Sequence, residues 1–455
     1  MAAPTRLGRR LFDGGAVIVT GRAVITGDAT APVVAEGAVL VHGGLVAAVA
    51  RADELRAAHP AEPVTDTGRV VLPGLVNAHT HAYSAYARGM PVRLPTRDFE
   101  EILENLWWRL DRLLEPEDVR LNATTTFMES LRCGVTTVFD HHSSPRAVGG
   151  SLHTIAEAAR EVGVRACLCY ETSDRDGEDV FAEAVAENVD FMRSANTPNQ
   201  DRVRGMFGMH ASFTLSDASL DTIASAASGV AGGYHVHVAE GPGDEEWTLA
   251  KHGLRVVDRL AARGMVGPQS IAAHCVHVTP GEIEILAERD GTVVHNPHSN
   301  LGNAVGFAPV VEMLRRGIRV GLGTDAYTAD MIASMQVAKI VASGHRLDPT
   351  VGFGEAVEML FRNNPAIVSA VFGCDLGVLR PGAVADLVTL DYRPPTPLDE
   401  RSGWGHVVFG MSGAQVVDAM VGGEWVLRHR ELTRLDEAAV LARSAERAAR
   451  IWKEM

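Results

Sequence analysis

The stretch GLVNAHTH (residues 74–81) ends a short apolar run in two histidines, and seven comparable runs follow it along the chain. These runs are VTTVFDHH (135–142), VRACLCYE (164–171), VRGMFGMH (203–210), YHVHVAE (234–240), SIAAHCVH (270–277), GTVVHN (291–296) and RVGLGTD (319–325). Segments with helical periodicity, such as DFEEILENLWWRLDRLL and SLHTIAEAAREV, separate the runs. Eight successive strand and helix units predict an α/β fold, a parallel (β/α)8 TIM barrel.

The segments before and after this region have a different pattern of apolar and turn-forming residues. Residues 15–50 consist of short Val, Ile and Ala runs broken by Gly, Asp or Pro, and similar runs return only near the end, in GVLRPGAVADLVTLDY and AQVVDAMVGGEWVLRHREL. Short apolar runs separated by such turn-forming residues are typical of small antiparallel sheets. Each flank is too short for a stable sheet of its own. We therefore expect residues 1–70 and 377–455 to combine into a composite β-sandwich domain beside a barrel of residues 71–376.

Composition limits the classes of function. The 455 residues are 46% hydrophobic and 22% charged, which is ordinary for a soluble globular enzyme. The net charge of -15 argues against nucleic acid or an anionic membrane as a partner and favours a small neutral or cationic molecule. The 5 cysteines are sparse and lie in apolar contexts, which is typical of reduced thiols in a cytoplasmic protein.

The sequence also bears on export, membrane insertion and oligomeric state. The basic N-terminal segment MAAPTRLGRRLFDGG is followed by no apolar region of signal-peptide type, and no later run is long enough to span a bilayer. We therefore expect neither export nor membrane insertion. A homo-oligomer is the expected state, because large soluble enzymes commonly form one.

Polar side chains fall at the ends of these runs, where barrels of this type place their chemistry. His79 and His81 project to one side of the first strand, His237 lies near the end of the fifth, and Asp325 ends the eighth. The first and eighth strands are neighbours in a closed barrel, so these four side chains can converge. Three imidazoles and a carboxylate suit one divalent ion, Zn²⁺ first and Fe²⁺ or Mn²⁺ as alternatives, which would make hydroxide available from water.

Several motifs resemble a known family. PGLVNAHTH, HVHVAE, IAAHCVHVTPGEIEILAERDGTVVHNPHSNLGN, VGLGTD and LRPGAVADLVTLD resemble the amidohydrolase superfamily, in its branch of ATZ/TRZ and guanine-deaminase-like enzymes, over essentially the whole chain. Within that branch, NLWWRLDRLL, DHHSSPRAVGGSL and CYETSDRDG are most similar to SsnA-like aminohydrolases. The resemblance implies the barrel with its composite β-sandwich and a mononuclear metal site made of His79, His81, His237 and Asp325.

The lysine content bears on the number of metal ions. Binuclear amidohydrolases commonly bridge two ions with a carboxylated lysine placed between the first histidine pair and the later histidine. The lysines of this chain are Lys251, Lys339 and Lys453, so none lies between residues 82 and 236. The lysine-bridged type is therefore excluded, whereas a bridging carboxylate such as Glu171 stays open.

The resemblance also assigns catalytic roles. In an ideal strand Glu240, three residues after His237, would face away from the site, so it joins the site only if the chain bends, as the following GPG allows. The implied role of Glu240 is to protonate the ring nitrogen beside the attacked carbon, and that of Asp325 is to carry a proton from the attacking water to the departing ammonia. His274 would hydrogen-bond the attacking oxygen, and whether it also binds the metal stays open.

Other rim residues are predicted to bind the substrate. His210, which ends the fourth run, matches a substrate-contacting histidine in related deaminases. Arg88, which follows the metal pair, would bind an acidic or carbonyl group. His141 on the second rim, and His298 and Asn300 after the seventh strand, complete the predicted set.

Three further residues near the site have structural interpretations. His235 shares a face with His237 but lies one layer deeper, so we expect a packed, hydrogen-bonded core histidine. Trp107 and Trp108 lie on a helical segment after the first strand. One of them could roof the pocket, but packing of that helix against the barrel is the preferred interpretation.

The predicted activity is hydrolytic deamination of a small heterocycle of the purine, pterin or triazine type. Glu240 favours deamination, because protonation of a ring nitrogen is the added requirement of that reaction. One alternative is hydrolysis of a cyclic amide or dechlorination of a ring, which the same hydroxide could perform. A second alternative is a non-catalytic metal-binding barrel, which predicts gaps in the metal set.

Overall fold

The structure is a computed structural model that describes residues 15–30, 32–197 and 202–455, so the prediction for the first fourteen residues lies outside it. The strands are β1 (Val17–Thr20), β2 (Ala23–Ile25), β3 (Val33–Ala35), β4 (Gly37–His42), β5 (Leu45–Arg51), β6 (Val64–Asp66), β7 (Val70–Pro73), β8 (Leu75–Thr80), β9 (Val135–His142), β10 (Arg165–Tyr170), β11 (Val203–Gly205), β12 (Phe207–Ala211), β13 (Tyr234–Val238), β14 (Ile271–His274), β15 (Thr292–His295), β16 (Arg319–Leu322), β17 (Leu387–Leu390), β18 (Val416–Val421), β19 (Glu424–Arg428) and β20 (Glu431–Leu432).

The α-helices are α1 (Ala52–Ala58), α2 (Phe99–Ile102), α3 (Trp108–Leu110), α4 (Pro116–Arg132), α5 (Ser151–Val162), α6 (Glu178–Ala195), α7 (Asp217–Ala227), α8 (Pro242–His252), α9 (Val256–Ala261), α10 (Pro280–Glu288), α11 (Pro297–Gly302), α12 (Val310–Arg315), α13 (Met331–Arg346), α14 (Phe353–Glu358), α15 (Asn364–Phe372), α16 (Gly403–Gly410) and α17 (Glu437–Ile451). Shorter 3₁₀ turns lie at Ala82–Ala87, Asp111–Leu113, Ser212–Thr214 and Gly413–Gln415, and π-helical turns at Leu103–Trp107 and Met359–Asn363. Within the described ranges, no helix combines the length and the apolar character needed to cross a membrane.

Strands β8 to β16 form the barrel. They pair in parallel in the orders β11-β10-β9-β8 and β12-β13-β14-β15-β16. Isolated parallel bridges from Thr172 to Met209 and from Thr80 to Asp325 join the edges of these two sheets and close the cylinder. Each predicted run contains a strand, the fourth one divided into β11 and β12. The predicted TIM barrel is thereby confirmed.

The barrel strands are buried on both faces, as their continuous apolar runs predict. The helices around them begin at recognisable caps: Pro116 opens α4, and Thr279 with Glu282 forms a capping box at the start of α10. Large side chains such as Phe127 and Phe191 are fully buried between helices and strands. Each such burial stabilises the fold by about 1.5–3 kcal/mol before entropy is counted.

The two flanks of the chain share one sheet. Its order is β20-β19-β18-β17-β7-β2-β3, and β17 pairs antiparallel with β7 so that Val388 lies opposite Leu72. A second sheet, β5-β4-β1-β6, comes from the N-terminal flank alone. The last helix, α17, lies against α4 of the barrel, where Arg447 pairs with the buried Asp118 at 2.7 Å. The domain boundaries themselves stay a prediction.

Candidate metal centre and active site

The four predicted metal ligands meet at the C-terminal ends of the barrel strands. His79 lies in β8, His81 follows it, and His237 lies in β13. Asp325 follows β16 and is placed beside β8, because its backbone N–H donates to the carbonyl oxygen of His79 at 3.0 Å. The nitrogen His81 Nε2 lies 3.1 Å from both His237 Nε2 and Asp325 Oδ1, and His79 Nε2 lies 3.8 Å from Asp325 Oδ1.

Backbone carbonyls fix the tautomers of two of these rings. His81 Nδ1 donates to the carbonyl oxygen of His141 at 2.6 Å, and His237 Nδ1 donates to that of His210 at 2.7 Å. A carbonyl oxygen only accepts, so the neutral rings carry their protons on Nδ1 and present lone pairs at Nε2. Those lone pairs face each other and the carboxylate of Asp325. Such a convergence of acceptors fits a bound cation.

His79 completes the donor set. Its Nδ1 lies 2.8 Å from His235 Nε2, so the deeper histidine can orient the ring, and His235 is itself fully buried as predicted. The other nitrogen, His79 Nε2, is buried without a hydrogen-bond partner. An unpartnered buried ring nitrogen beside three other ligand atoms fits the coordination of a divalent ion.

The electrostatics of the centre also favour positive charge. Burial acts to lower the pKa of His81, but the hydrogen bond to Asp325 and its charge outweigh burial and raise that pKa to about 9. The same contacts hold the pKa of the Asp325 carboxyl below its usual range in spite of burial. A metal ion competes with the proton that this pair would otherwise hold.

Glu240 reaches the site through a bend in the chain. Strand β13 ends at Val238, and Ala239, the residue before Glu240, adopts a left-handed conformation with φ +46°. This bend turns the Glu240 carboxylate toward the metal side, where Oε2 lies 3.5 Å from His274 Nε2. Burial and the negative charge of Asp325 raise the pKa of Glu240 well above its ordinary value.

Backbone strain accumulates at this edge. His274 has φ +73° and Asp325 has φ +54°, a region that residues other than glycine seldom adopt. Such conformations cost about 1–3 kcal/mol each and persist where the surrounding fold enforces them, commonly at active sites. Nδ1 of His274 donates to Asn300 Oδ1 at 2.8 Å, and the Ser299 hydroxyl donates to Asp325 Oδ2. Both contacts come from α11.

A cavity of about 800 Å³ opens onto these groups. Its lining includes several aromatic side chains: Tyr83, Phe99, Trp107, Trp108, Phe213, Trp247 and Tyr327. The interpretation of Trp107 and Trp108 as helix-packing residues was incomplete, since both line this cavity. They follow one another at the end of a π-helical turn, Leu103–Trp107, a rare local geometry that often occurs at functional sites.

The predicted substrate-binding residues divide into two groups. His210 and Arg88 line the cavity, although Arg88 forms an ion pair with Glu129 and its side chain is 60% exposed. The other three are absent from the lining found in the described part of the chain. His141 bonds to Glu171, His298 stacks on Tyr327 with ring centroids 5.9 Å apart, and Asn300 holds His274.

Glu171 was named from the sequence only as an open candidate for a bridging ligand, and its place in the cavity was missed. Its buried carboxylate lines the cavity, with Oε2 3.2 Å from His141 Nδ1 and Oε1 3.5 Å from His210 Nε2. Its position at the end of the third run, beside a histidine on each neighbouring strand, was the available signal.

Comparison with known proteins adds independent findings. The Amidohydrolase family matches residues 70–426, and the bacterial imidazolonepropionase-like composite domain matches residues 37–61. The chain is 30% identical over 442 residues to a 5-methylthioadenosine/S-adenosylhomocysteine deaminase of Pelotomaculum thermopropionicum, covering 96% of this chain and 98% of that protein. It is 32% identical over 443 residues to a 5'-deoxyadenosine deaminase of Methanopyrus kandleri, and the match covers 94% of this chain and 99% of that protein.

Among solved structures, an adenosine deaminase from Xanthomonas campestris with bound zinc superimposes with a TM-score of 0.83. The two chains are 25% identical, and the match covers 96% of this chain and 98% of that one. These similarities do not test the finer likeness to SsnA-like aminohydrolases, which stays a prediction.

Proposed function

This chain belongs to the amidohydrolase family, and from that premise we propose that it is a metal-dependent enzyme that deaminates an amino-substituted nitrogen heterocycle. The observation that carries the proposal is the buried Glu240, whose carboxylate lies 3.5 Å from His274 beside the four metal ligands. The relatives are named for deamination of 5-methylthioadenosine, S-adenosylhomocysteine and 5'-deoxyadenosine. Adenine nucleosides without a 5' phosphate are therefore the leading substrates.

His79, His81, His237 and Asp325 are the residues that would hold one divalent ion. The zinc in the related adenosine deaminase supports Zn²⁺ over Fe²⁺ or Mn²⁺. When bound, such an ion supplies a hydroxide nucleophile at neutral pH.

Glu240 acts as the acid toward the ring. Burial and the negative charge of Asp325 raise the pKa of Glu240, which favours the protonated carboxyl group that donates to the ring nitrogen beside the amino-bearing carbon. Protonation of that nitrogen prevents negative charge from accumulating on the ring when the carbon is attacked. Glu240 recovers its proton from the hydroxyl group on the attacked carbon when the product carbonyl forms, while the proton it gave stays on the ring nitrogen.

Asp325 and His274 manage the proton of the attacking water. Asp325 takes this proton and returns it to the leaving amino group as ammonia departs. The Ser299 hydroxyl bonds to Oδ2 of Asp325 and holds the carboxylate in position. Asn300 accepts the Nδ1 proton of His274, and Nε2 of this ring faces Glu240 and Asp325 and lies 3.4 Å from the amide nitrogen of Asn296. Nε2 is therefore the atom that would hydrogen-bond the water.

The aromatic walls of the cavity suit a flat heterocycle with an apolar substituent. Trp108 lies edge-on to His210 with ring centroids 5.9 Å apart, and Phe213 lies 5.6 Å from the same ring. Arg88 lies at this cavity but is paired with Glu129, which argues against an anionic group on the substrate.

Ammonia release tests the proposal. Zinc-loaded protein is assayed with adenosine, 5'-deoxyadenosine, 5'-methylthioadenosine, guanine, a pterin, a triazine, cytosine and a cyclic amide, with Glu240→Gln as the inactive control. We expect ammonia from at least one ring and almost none from the variant. Hydrolysis of the cyclic amide without ammonia from any ring would show that deamination is the wrong class. A cytoplasmic location and a homo-oligomeric state stay predictions.

A further inference from the structure

The buried carboxylate of Glu171 has no part in the steps above. It lies at the end of the third barrel strand, 4% exposed, yet it lines the cavity that holds the proposed chemistry. The His81 ring separates it from Asp325: Nε2 of that ring faces Asp325 at 3.1 Å, whereas Nδ1 lies 3.9 Å from Glu171 Oε2. Glu171 therefore lies on a different side of the metal centre from the proton-transfer residues.

The hydrogen bonds of His210 indicate which kind of group the cavity wall beside Glu171 can bind. The Thr214 hydroxyl donates its proton to the carbonyl oxygen of Ala211 at 3.1 Å, so its oxygen accepts from His210 Nδ1 at 2.8 Å. A neutral His210 consequently presents a lone pair at Nε2. That lone pair lies 3.5 Å from Oε1 of Glu171, so two acceptors meet at the cavity wall.

The other oxygen of Glu171 is already engaged. Oε2 lies 3.2 Å from His141 Nδ1, and the other nitrogen of His141 lies 3.1 Å from the carbonyl oxygen of His235. These contacts hold the carboxylate on the second and third strands and leave Oε1 toward His210 and the cavity. Two acceptors side by side in a buried wall are stabilised when a donor enters from outside.

We propose that Glu171, paired with His210, binds an N–H or O–H group of the substrate and thereby selects rings or sugars that carry such a donor. This inference rests on the proposed deaminase function and adds a specificity residue to it. The donor has two possible sources. In guanine-type rings the amino-bearing carbon is flanked by a ring N–H, whereas adenine has none at that position. In nucleosides the donor is a ribose hydroxyl.

Two substrate pairs separate these sources. Comparing the kcat/KM of guanine with that of adenine tests whether the donor is the ring N–H. Comparing adenosine with its 2'-deoxy and 3'-deoxy forms tests whether the donor is a ribose hydroxyl. We expect the zinc-loaded wild type to prefer the donor-bearing member of one pair by about tenfold or more in kcat/KM, the size of a hydrogen bond to a charged acceptor. Glu171→Gln should reduce that preference to about threefold or less, mainly through KM.

Controls keep the outcome specific. Glu104→Gln makes the same change at an exposed position of the π-helical turn Leu103–Trp107 and should keep the wild-type preference for the donor-bearing substrate. Zinc content and the far-ultraviolet circular dichroism spectrum are measured for every variant. If Glu171→Gln does not fold, His210→Phe is used, because it keeps a ring but removes the acceptor nitrogen and should remove the same preference.

The proposal is overturned if the wild type shows no preference in either pair, or if Glu171→Gln keeps the preference. It is also overturned if that variant loses all substrates equally together with its zinc, since Glu171 would then only support His81 and His141. Calorimetric binding of the same compounds repeats the comparison without turnover. If no ring yields ammonia, the deaminase proposal fails, while calorimetry still decides the role of Glu171.

Discussion

His81 Nε2 and His237 Nε2 lie 3.1 Å apart, although both rings donate their Nδ1 protons to backbone carbonyls. Two lone pairs at this distance repel one another unless a proton or a metal ion lies between them. The barrel thus holds the two rings in an arrangement that metal binding stabilises. We expect His81→Asn to lower the zinc affinity by at least tenfold, measured by competition with a chelator. Unchanged affinity would exclude His81 as a ligand.

Asn300 is expected to act through His274. Asn300→Ala removes the acceptor of the Nδ1 proton, which frees the ring to change tautomer and orientation. We expect kcat to fall by about ten- to a hundredfold, the range seen when a supporting hydrogen-bond partner is lost, with zinc content retained. Asn300→Asp, which keeps an acceptor at this position, should restore part of the rate. A change confined to KM would instead indicate direct contact with the substrate.

Trp108 is expected to contribute to substrate affinity. Its ring lines the cavity and is held by the Arg175 guanidinium, which lies 5.5 Å from the ring centroid and pairs with Asp111. Trp108→Leu removes a flat wall, and we expect KM to rise about tenfold with kcat changed less than threefold, in line with an aromatic contact worth roughly 0.5–1.5 kcal/mol beyond area burial. Steady-state kinetics on the preferred nucleoside measures this, and an equal loss in kcat would contradict it.

Gly208 is required where β12 passes β10. A Cβ atom at this position would lie 2.2 Å from the carbonyl oxygen of Tyr170, and backbone cannot move aside as a side chain can. We expect Gly208→Ala to lower the free energy of unfolding by about 1–3 kcal/mol, as overpacking does. The matched change Gly344→Ala, at an exposed helical site with nothing within 4 Å, should be neutral or stabilise the protein by about 0.5–1 kcal/mol. Denaturant unfolding compares the two, and equal effects would contradict the steric account.

The contact between α17 and the barrel is expected to weaken in acid. Arg450 and Arg447 hold the pKa of Glu115 down to about 2, below its ordinary value of 4.5. A lowered carboxyl pKa contributes stability above pH 4.5, and this contribution is lost as the pH falls toward 2. Glu115→Gln should therefore be less stable than the wild type at pH 6, by a small margin that salt reduces, and the difference should shrink by pH 3. A difference that grows in acid would contradict this sign.

Much of the site follows from the sequence because strand order is visible in it. His79, His81, His237 and Asp325 lie at strand ends, and a closed barrel brings the ends of its strands to one rim whatever the details of packing. The placement of Glu240 in the site additionally required a bend of the chain after His237. Ala239 makes this bend, with φ +46°. Periodicity gives the strands but not the sign of φ at a single residue.

Features that depend on loops and on side-chain orientation were less accessible. Trp107 ends the π-helical turn Leu103–Trp107 and Trp108 follows it, and both side chains line the cavity, which helical periodicity alone does not predict. His298 and Asn300 turn toward Tyr327 and His274 because α11 begins directly after β15, and a single sequence does not fix the direction of that helix.

Zinc titration with ammonia release as the readout tests the central claim most directly. Metal-free protein is titrated with Zn²⁺ while ammonia released from the preferred nucleoside is measured. The account predicts a rate that rises in proportion to added zinc and saturates at one ion per chain. Saturation at two ions per chain, or ammonia release that does not depend on zinc, would contradict it.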